Sequence, residues 1–263
     1  MKKIAIALSF LLLCMIIAGY AIGKTVLKPD EEVIYQVSTI NALASGLYDG
    51  QVSLTEIQNR GDLGIGTFAA LDGEMILIDG VVYQARYEGT VVAIDDQEKT
   101  PFAIVTFFNE DDRSEDLKSA SYESLQRKLD SLITNPNLFY AFYISGDFSY
   151  IQVRSVPPQE KPYPLLVEVT KNQPTFEYEN VKGSLIGFWC PDYVNGINVP
   201  GYHLHFISDD RTQGGHLLEV SIKDALVLVD RTPSFQMTLP DDHRLAMIDL
   251  GEDKSEEIES IEK

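Results

Sequence analysis

Short stretches in which apolar and polar residues alternate dominate the first half of the chain. Alternation with a period of two predicts β-strands, and Asp-Gly pairs between such stretches predict tight turns. The predicted strands are Val33–Ser38, hairpins across Gly61–Arg86 with turns at Asp72-Gly73 and Asp79-Gly80, Thr90–Ile94, Phe102–Phe108, and a hairpin of Phe139–Ser145 with Phe148–Ser155 around Gly146-Asp147. Short helical segments are predicted at Thr39–Leu47 and Leu54–Asn59.

One longer segment changes period. Between Glu115 and Ile133, leucines recur at helical intervals amid charged residues, which predicts an amphipathic helix. These leucines are Leu117, Leu125, Leu129 and Leu132. After a proline cluster, the pattern resumes with Leu165–Thr170, Thr175–Glu179, Gly183–Trp189, Ala225–Asp230 and Ser234–Leu239.

These elements predict a β-rich protein with few helices and two domains. The prolines at Pro157, Pro158, Pro162 and Pro164 mark the boundary, which gives an N-terminal β-rich domain at residues 24–156 and a C-terminal domain at 157–248. Residues 249–263 carry seven acids and two lysines, a composition typical of a solvated tail or short exposed helix. Its sparse apolar residues, Leu250, Ile258 and Ile261, could anchor it to the body.

Residues 1–23 resemble a secretory signal peptide. Lys2 and Lys3 precede the apolar run Ile4–Ala18, and Ala21-Ile22-Gly23 offers small residues for cleavage. We therefore expect a secreted protein that begins near Lys24, with an uncleaved membrane anchor as the alternative. Removal of this segment leaves Cys190 as the single cysteine, so an internal disulfide is not expected.

The net charge of the chain limits the kinds of partner that it can bind. The formal net charge is −19, and about −21 without Lys2 and Lys3. Nucleic acid and anionic membrane surfaces are unfavourable partners for such a field. An anionic substrate would need local positive charge from a metal and an arginine.

Three of the four histidines fall within fourteen consecutive residues. Tyr202–Ile207 alternates as a strand, which places His203 and His205 on one face. Turn residues follow, and Leu217–Ile222 is predicted to return as the second strand of a hairpin. If His216 pairs with His205, three imidazoles converge and leave a fourth position for water or substrate, as in a catalytic zinc site. The alternative is that these are ordinary surface or core histidines.

Glu74 opens a predicted strand and shares its parity with Ile76 and Ile78. This parity directs the carboxylate toward an apolar interior. The alternative is a polar residue at the exposed beginning of a strand. His243 lies far along the chain from the other histidines and is expected at the surface.

Several segments together resemble bacterial α-acetolactate decarboxylases. The matching segments are Ser38–Leu43, Gly46–Gly50, Gly64–Phe68, Leu71–Glu74, Asp79–Tyr83, Gly187–Pro191, Gly196–Phe206 and Gly214–His216. The resemblance covers nearly all of the chain beyond residue 23. It implies an α/β fold with α+β character, in which two domains are each built on a mixed sheet, and a homodimer.

The resemblance also implies an activity and a site. The expected reaction converts acetolactate, a 2-hydroxy-3-oxo acid, to acetoin and carbon dioxide with Zn²⁺ as cofactor. Carried over by position, the zinc ligands are His203, His205 and His216, and the residues that line the site are Glu74, Arg154, Thr67 and, from the C-terminal tail, Glu262. In this scheme zinc chelates the substrate oxygens, Arg154 orients the carboxylate, and Glu74 handles protons.

Two other functional classes remain open at this stage. A cupin-like metal oxygenase also uses His-x-His and a later His, but it usually places a glutamate soon after the pair, where this chain has Asp209 and Asp210. A secreted zinc-binding module would need the histidines, but neither the arginine nor a buried glutamate.

Overall fold

The computed structural model describes residues 32–94 and 97–262, and two large sheets contain nearly all of its strand residues. The signal or anchor segment predicted at residues 1–23 lies outside this range. Within the described range, no helix combines the length and apolar character that a bilayer span requires.

The elements follow one another in an order close to the predicted one. The strands are β1 (Val33–Val37), β2 (Val52–Ser53), β3 (Leu63–Thr67), β4 (Glu74–Ile78), β5 (Val81–Ala85), β6 (Val91–Ala93), β7 (Lys99–Thr100), β8 (Ala103–Thr106), β9 (Asp112–Ser121), β10 (Phe139–Arg154), β11 (Thr175–Cys190), β12 (Gly201–Ser208), β13 (Gly214–Thr232) and β14 (Ser234–Thr238). The helices are α1 (Ile40–Ala44), α2 (Leu54–Gln58), α3 (Tyr122–Leu132), α4 (Leu166–Thr170) and α5 (Ser255–Glu262), with 3₁₀ turns at Ala69–Leu71, Asp192–Val194 and Leu245–Met247.

The first sheet has seven strands in the order β14-β1-β8-β3-β4-β5-β6. Strands β1 and β14 run parallel and the other pairs run antiparallel, so the sheet is mixed. The predicted two-residue turn at Asp79-Gly80 is confirmed, because Ile78 pairs with Val81 and both turn residues have positive φ. A small sheet of β2 and β7 lies apart.

The second sheet is built on long strands and closes on itself. Strands β10, β11, β12 and β13 pair in that order, β10 also pairs with β13, and β9 adds to β13. A hydrophobic core lies between the two sheets. In it, Ile34 and Ile76 of the first sheet pack in one cluster with Ile186 and Ile207 of the second sheet. The prediction of a sheet-rich fold with mixed sheets and few helices is confirmed.

The predicted turn at Gly146-Asp147 is wrong, since β10 runs unbroken through it. Gly146 pairs with Gly183 on one side and Ala225 on the other. A Cβ at this position would collide with the carbonyl oxygen of Asp224. The glycine therefore permits close strand packing, and neighbouring register shifts mark a bulge and not a chain reversal. Thr175–Glu179 and Gly183–Trp189 likewise belong to one strand, β11.

The predicted helix at Glu115–Ile133 is half right. Its first part belongs to β9, where Leu117 pairs with Ala225 of β13. The helix begins after Ser121, whose side chain accepts a hydrogen bond from the Ser124 amide and caps it. Since the open edge of β13 offers backbone partners, sheet pairing overrides the helical spacing in this segment. The same capping chemistry begins α1 at Thr39 and α2 at Ser53.

The expected boundary at 156/157 stays a prediction. By their internal contacts, residues Glu31–Lys263 form one compact unit. Both large sheets take strands from each side of that boundary, β14 in the first and β9 in the second.

A buried carboxylate in β13 makes the fold sensitive to pH. Asp230 is fully buried, its Oδ2 accepts from the Asn109 amide at 3.1 Å, and its Oδ1 has no partner. Burial raises the pKa of Asp230 to about 7, and the nearby acids Asp111, Glu32 and Asp62 add to the shift. The folded state therefore binds this proton more tightly than the unfolded state does.

We expect the stability of the wild type to fall relative to Asp230→Asn as pH rises from about 4 to about 7. Over this window the unfolded carboxyl ionises while the folded one does not, so the unfolded state is favoured as pH rises. A rise of the pKa from 3.8 to about 7 corresponds to a difference of about 4 kcal/mol above pH 7. Urea unfolding at several pH values measures it, with the exposed Asp224→Asn as the control. Parallel pH curves for wild type and Asp230→Asn would contradict the assignment.

Candidate metal and active site

The hairpin of β12 and β13 brings three histidines together. His205 pairs directly with His216, as the sequence predicts, and His203 lies two residues earlier on the same face. The ring centroids are 4.9 to 5.4 Å apart. One nitrogen from each ring lies within 4.8 Å of the others, a spacing that a metal ion could bridge.

The environment keeps these imidazoles neutral. Burial and, to a smaller extent, the nearby Arg154 guanidinium together lower the pKa of His203 to about 3. Burial also puts the pKa values of His205 and His216 well below their ordinary range. A neutral imidazole keeps a lone pair for a metal, so the shifts favour coordination over protonation.

One hydrogen bond fixes the orientation of the central ring. His205 Nδ1 lies 2.9 Å from the Met75 carbonyl oxygen of β4, so Nδ1 carries the proton and donates it. His205 Nε2 then points into the cluster, where it is buried and without a hydrogen-bond partner. Metal coordination would satisfy the lone pair of a buried, unpaired acceptor of this kind. The residues therefore fit a metal ion.

Glu74 faces the cluster from the first sheet. It begins β4, is 8% exposed, and places Oε2 3.7 Å from His205 Nε2, so its predicted inward orientation is confirmed. Burial raises the pKa of Glu74 to about 7, against a lowering by the charge of Arg154. This carboxyl can hold or release a proton near neutral pH.

Arg154 supplies the positive charge of the site. It is the last residue of β10, pairs in register with His216, and is 4% exposed. Its Nη1 donates to Gln173 Oε1 at 2.9 Å, while its Nε is buried without a partner. The guanidinium is thus fixed on one side and keeps a donor free for an anion.

Glu262 reaches the same centre from the other end of the chain. Its Oε2 lies 3.7 Å from both His203 Nε2 and His216 Nε2, and its Oε1 lies 3.9 Å from Arg154 Nη2. Burial raises its pKa to about 7. Ile258 and Ile261 of α5 are buried, so the predicted anchoring of the tail by its apolar residues is confirmed for these two.

Thr67 lines the cavity, but its hydroxyl proton already takes part in a hydrogen bond within the protein. Its Oγ1 donates to the Gly73 carbonyl at 2.7 Å, which fixes the turn immediately before Glu74. The rest of the wall is largely apolar, and sequence reasoning missed it. The apolar lining residues include Ile40, Leu43, Leu71, Phe102, Val156, Leu166 and Ile261.

Three residues outside the histidine cluster also bear on the predicted site. The His243 side chain is 85% exposed, so the prediction that it is a surface residue is confirmed. Cys190 is buried, and burial raises its pKa, which leaves an unreactive thiol. Gln173, which holds Arg154, was missed because nothing in its local sequence distinguishes it from a loop residue.

Comparison with known proteins gives a consistent result. The alpha-acetolactate decarboxylase family profile matches residues 34–252. An alpha-acetolactate decarboxylase of Methanosarcina mazei is 44% identical over 232 residues, which are 88% of this chain and 81% of the relative. The alpha-acetolactate decarboxylase of Bacillus subtilis strain 168 is 42% identical over 207 residues, which are 79% of this chain and 81% of the relative.

The fold agrees as well. The crystal structure of alpha-acetolactate decarboxylase from Bacillus subtilis strain 168 superposes with a TM-score of 0.85 at 40% identity, over 88% of this chain and 99% of that one. The family match ends at residue 252, so the position of Glu262 beside the histidines rests on the geometry of this chain.

Proposed function

The chain belongs to the alpha-acetolactate decarboxylase family, and we propose that it is a zinc-dependent carboxy-lyase that converts α-acetolactate to acetoin and carbon dioxide. The observation that carries the proposal is the convergence of three neutral imidazoles, one arginine and two carboxyls on a single buried centre.

His203, His205 and His216 would hold the zinc ion. Three histidines with one open position are the ligand set of many catalytic zinc sites. A bound zinc ion would act as a Lewis acid that stabilises the negative charge left on the substrate oxygens.

Arg154 binds and orients the carboxylate that leaves. Its guanidinium lies against the histidine cluster in a buried pocket, where a planar anion can accept from the nitrogens that Gln173 leaves free. Loss of carbon dioxide breaks one carbon–carbon bond and leaves its electron pair on the substrate. The residue's role is therefore to position the departing group relative to the electron-accepting oxygens.

Glu74 or Glu262 supplies the proton that completes the product. Formation of acetoin requires one proton on the carbon that lost carbon dioxide, so an acid must lie near that carbon. Both carboxyls are held in low-polarity surroundings that raise their pKa values to about 7. Each can therefore carry a proton at neutral pH, and the apolar wall of the cavity keeps competing water away.

The two rival classes receive no support from the geometry. Asp210, at the position where a cupin would offer a glutamate ligand, accepts hydrogen bonds from Ser208 and Thr212 within the turn. A non-catalytic zinc-binding module would not require Arg154 and Glu74 to be buried against the histidines.

Secretion and a homodimeric state are further parts of the proposal. They rest on the sequence of residues 1–23 and on the family resemblance. N-terminal sequencing of protein from the culture medium and a solution mass measurement test them; an intact Met1 on cell-associated protein favours the anchor, and a monomer mass excludes the dimer.

Incubation of the purified protein with α-acetolactate should release acetoin and carbon dioxide in equal amounts. Chelation should stop both, and added zinc should restore both, because the histidines would be the ligands. Zinc-loaded protein that forms no acetoin would refute the function, whereas metal-stripped protein at full rate would refute only the metal dependence.

A further inference from the structure

The chain segment before α5 is held by one buried side chain. Asn41 of α1 is 2% exposed, and its Nδ2 donates to the Leu250 carbonyl at 3.1 Å and to the Glu252 carbonyl at 3.0 Å. Both amide protons of one side chain thus bind the backbone of the tail more than 200 residues away in sequence.

The local structure is arranged around this amide. Two carbonyl oxygens face the same side-chain atom, which must therefore be the nitrogen, because an oxygen there would repel both. The Asn41 Oδ1 is left buried without a partner, a cost that the two bonds to the tail must offset. Gly196 lies against the amide with a φ of +78°, and a Cβ there would come within 2.9 Å of Asn41 Nδ2.

Helix α5 depends on such attachments. It has eight residues, too few for a stable helix on its own. Ile258 and Ile261 pack into the cluster that contains Ile40 and Leu43, the neighbours of Asn41 on α1. Glu262, the last residue of α5, lies 3.7 Å from His203 Nε2. The contacts of α1 with the tail therefore run from the Asn41 amide to the wall of the catalytic cavity.

We propose that Asn41 is a positioning residue, which holds the backbone at residues 250–252 so that α5 brings the Glu262 carboxyl to the three histidines. The effect expected on kcat rests on the proposed function. The effect expected on release of the tail rests only on the hydrogen bonds of Asn41. Asn41 does not itself line the cavity, so it acts through Glu262.

A double-mutant cycle tests the proposal. Asn41→Asp replaces both donors by acceptors that repel the two carbonyls, and it should lower kcat roughly tenfold to a hundredfold, the loss expected for a displaced catalytic group. In a Glu262→Gln background the same change should lower kcat by less than about twofold, because Glu262 no longer contributes. Bound metal should persist, since the histidines are untouched.

A second measurement does not depend on catalysis. Carboxypeptidase should remove the C-terminal residues of Asn41→Asp at least tenfold faster than those of the wild type, because release of the tail exposes its backbone. Asn137→Asp adds the same charge at an exposed turn and should match the wild type in both measurements. Asn41→Ala removes the donors without a charge and should show the same pattern if Asn41→Asp does not fold.

Three results would decide against the proposal or its premise. An equal kcat loss with and without Glu262→Gln would assign Asn41 a general structural role. Unchanged carboxypeptidase rates would show that the amide does not hold the tail. If the wild type formed no acetoin but carboxypeptidase still cleaved Asn41→Asp faster, the proposed function would be refuted. The conclusion that Asn41 holds the tail would then still stand.

Discussion

His205→Ala is expected to lose the bound metal and, with it, all measurable acetoin formation. His205 is fully buried in the centre of the cluster, and its Nε2 has no hydrogen-bond partner in the protein. Two imidazoles would remain, which is fewer than the three protein ligands of a catalytic zinc site. Loss of an outer-shell partner alone costs roughly 10–100-fold in metal affinity, so loss of a direct ligand should cost far more.

The measurement combines metal analysis with an acetoin assay on the same preparation. His243→Ala is the matched control, because it removes a histidine whose side chain is 85% exposed and lies outside the cluster. Circular dichroism should show that both variants fold. A His205→Ala protein that retains the metal and near-normal turnover would end the assignment of this residue as a ligand.

Local sequence was sufficient for the part of the site that lies on one hairpin. The alternation of Tyr202–Ile207 fixes which face the histidines share, and the turn length sets the pairing of His205 with His216. The inward side of Glu74 follows from its parity with Ile76 in the same way. These predictions depend only on neighbours within one or two strands.

Contacts between distant segments could not be predicted in this manner. The Met75 carbonyl that orients His205, and the Gln173 amide that holds Arg154, are set by how the two sheets and a loop pack. No pattern in the acidic tail indicates that Glu262 reaches the cluster, and only the family resemblance pointed to it. The predicted turn at Gly146 was wrong for a related reason. A glycine that permits close strand packing cannot be distinguished from a turn glycine until the neighbouring strands are known.

Glu74→Gln is expected to keep the metal and lower turnover roughly a hundred to ten thousandfold, the range for removal of a general acid or base. Glutamine preserves the shape of the side chain and can still donate or accept hydrogen bonds, but it cannot exchange a proton with the substrate. Glu74 Oε2 lies 3.7 Å from His205 Nε2, beside the three histidines that could hold a metal ion, and the pairing of β12 with β13 positions those histidines.

Metal content and kcat, measured on the same sample, separate the two roles that Glu74 could have. Glu179→Gln is the control, because it makes the same change at an exposed position of strand β11. A variant that keeps its metal and loses turnover places Glu74 in proton transfer. If Glu74→Gln lost its metal as His205→Ala is expected to, the carboxylate would be a ligand, and Glu262 would be left as the only carboxyl of the described site available to protonate the product.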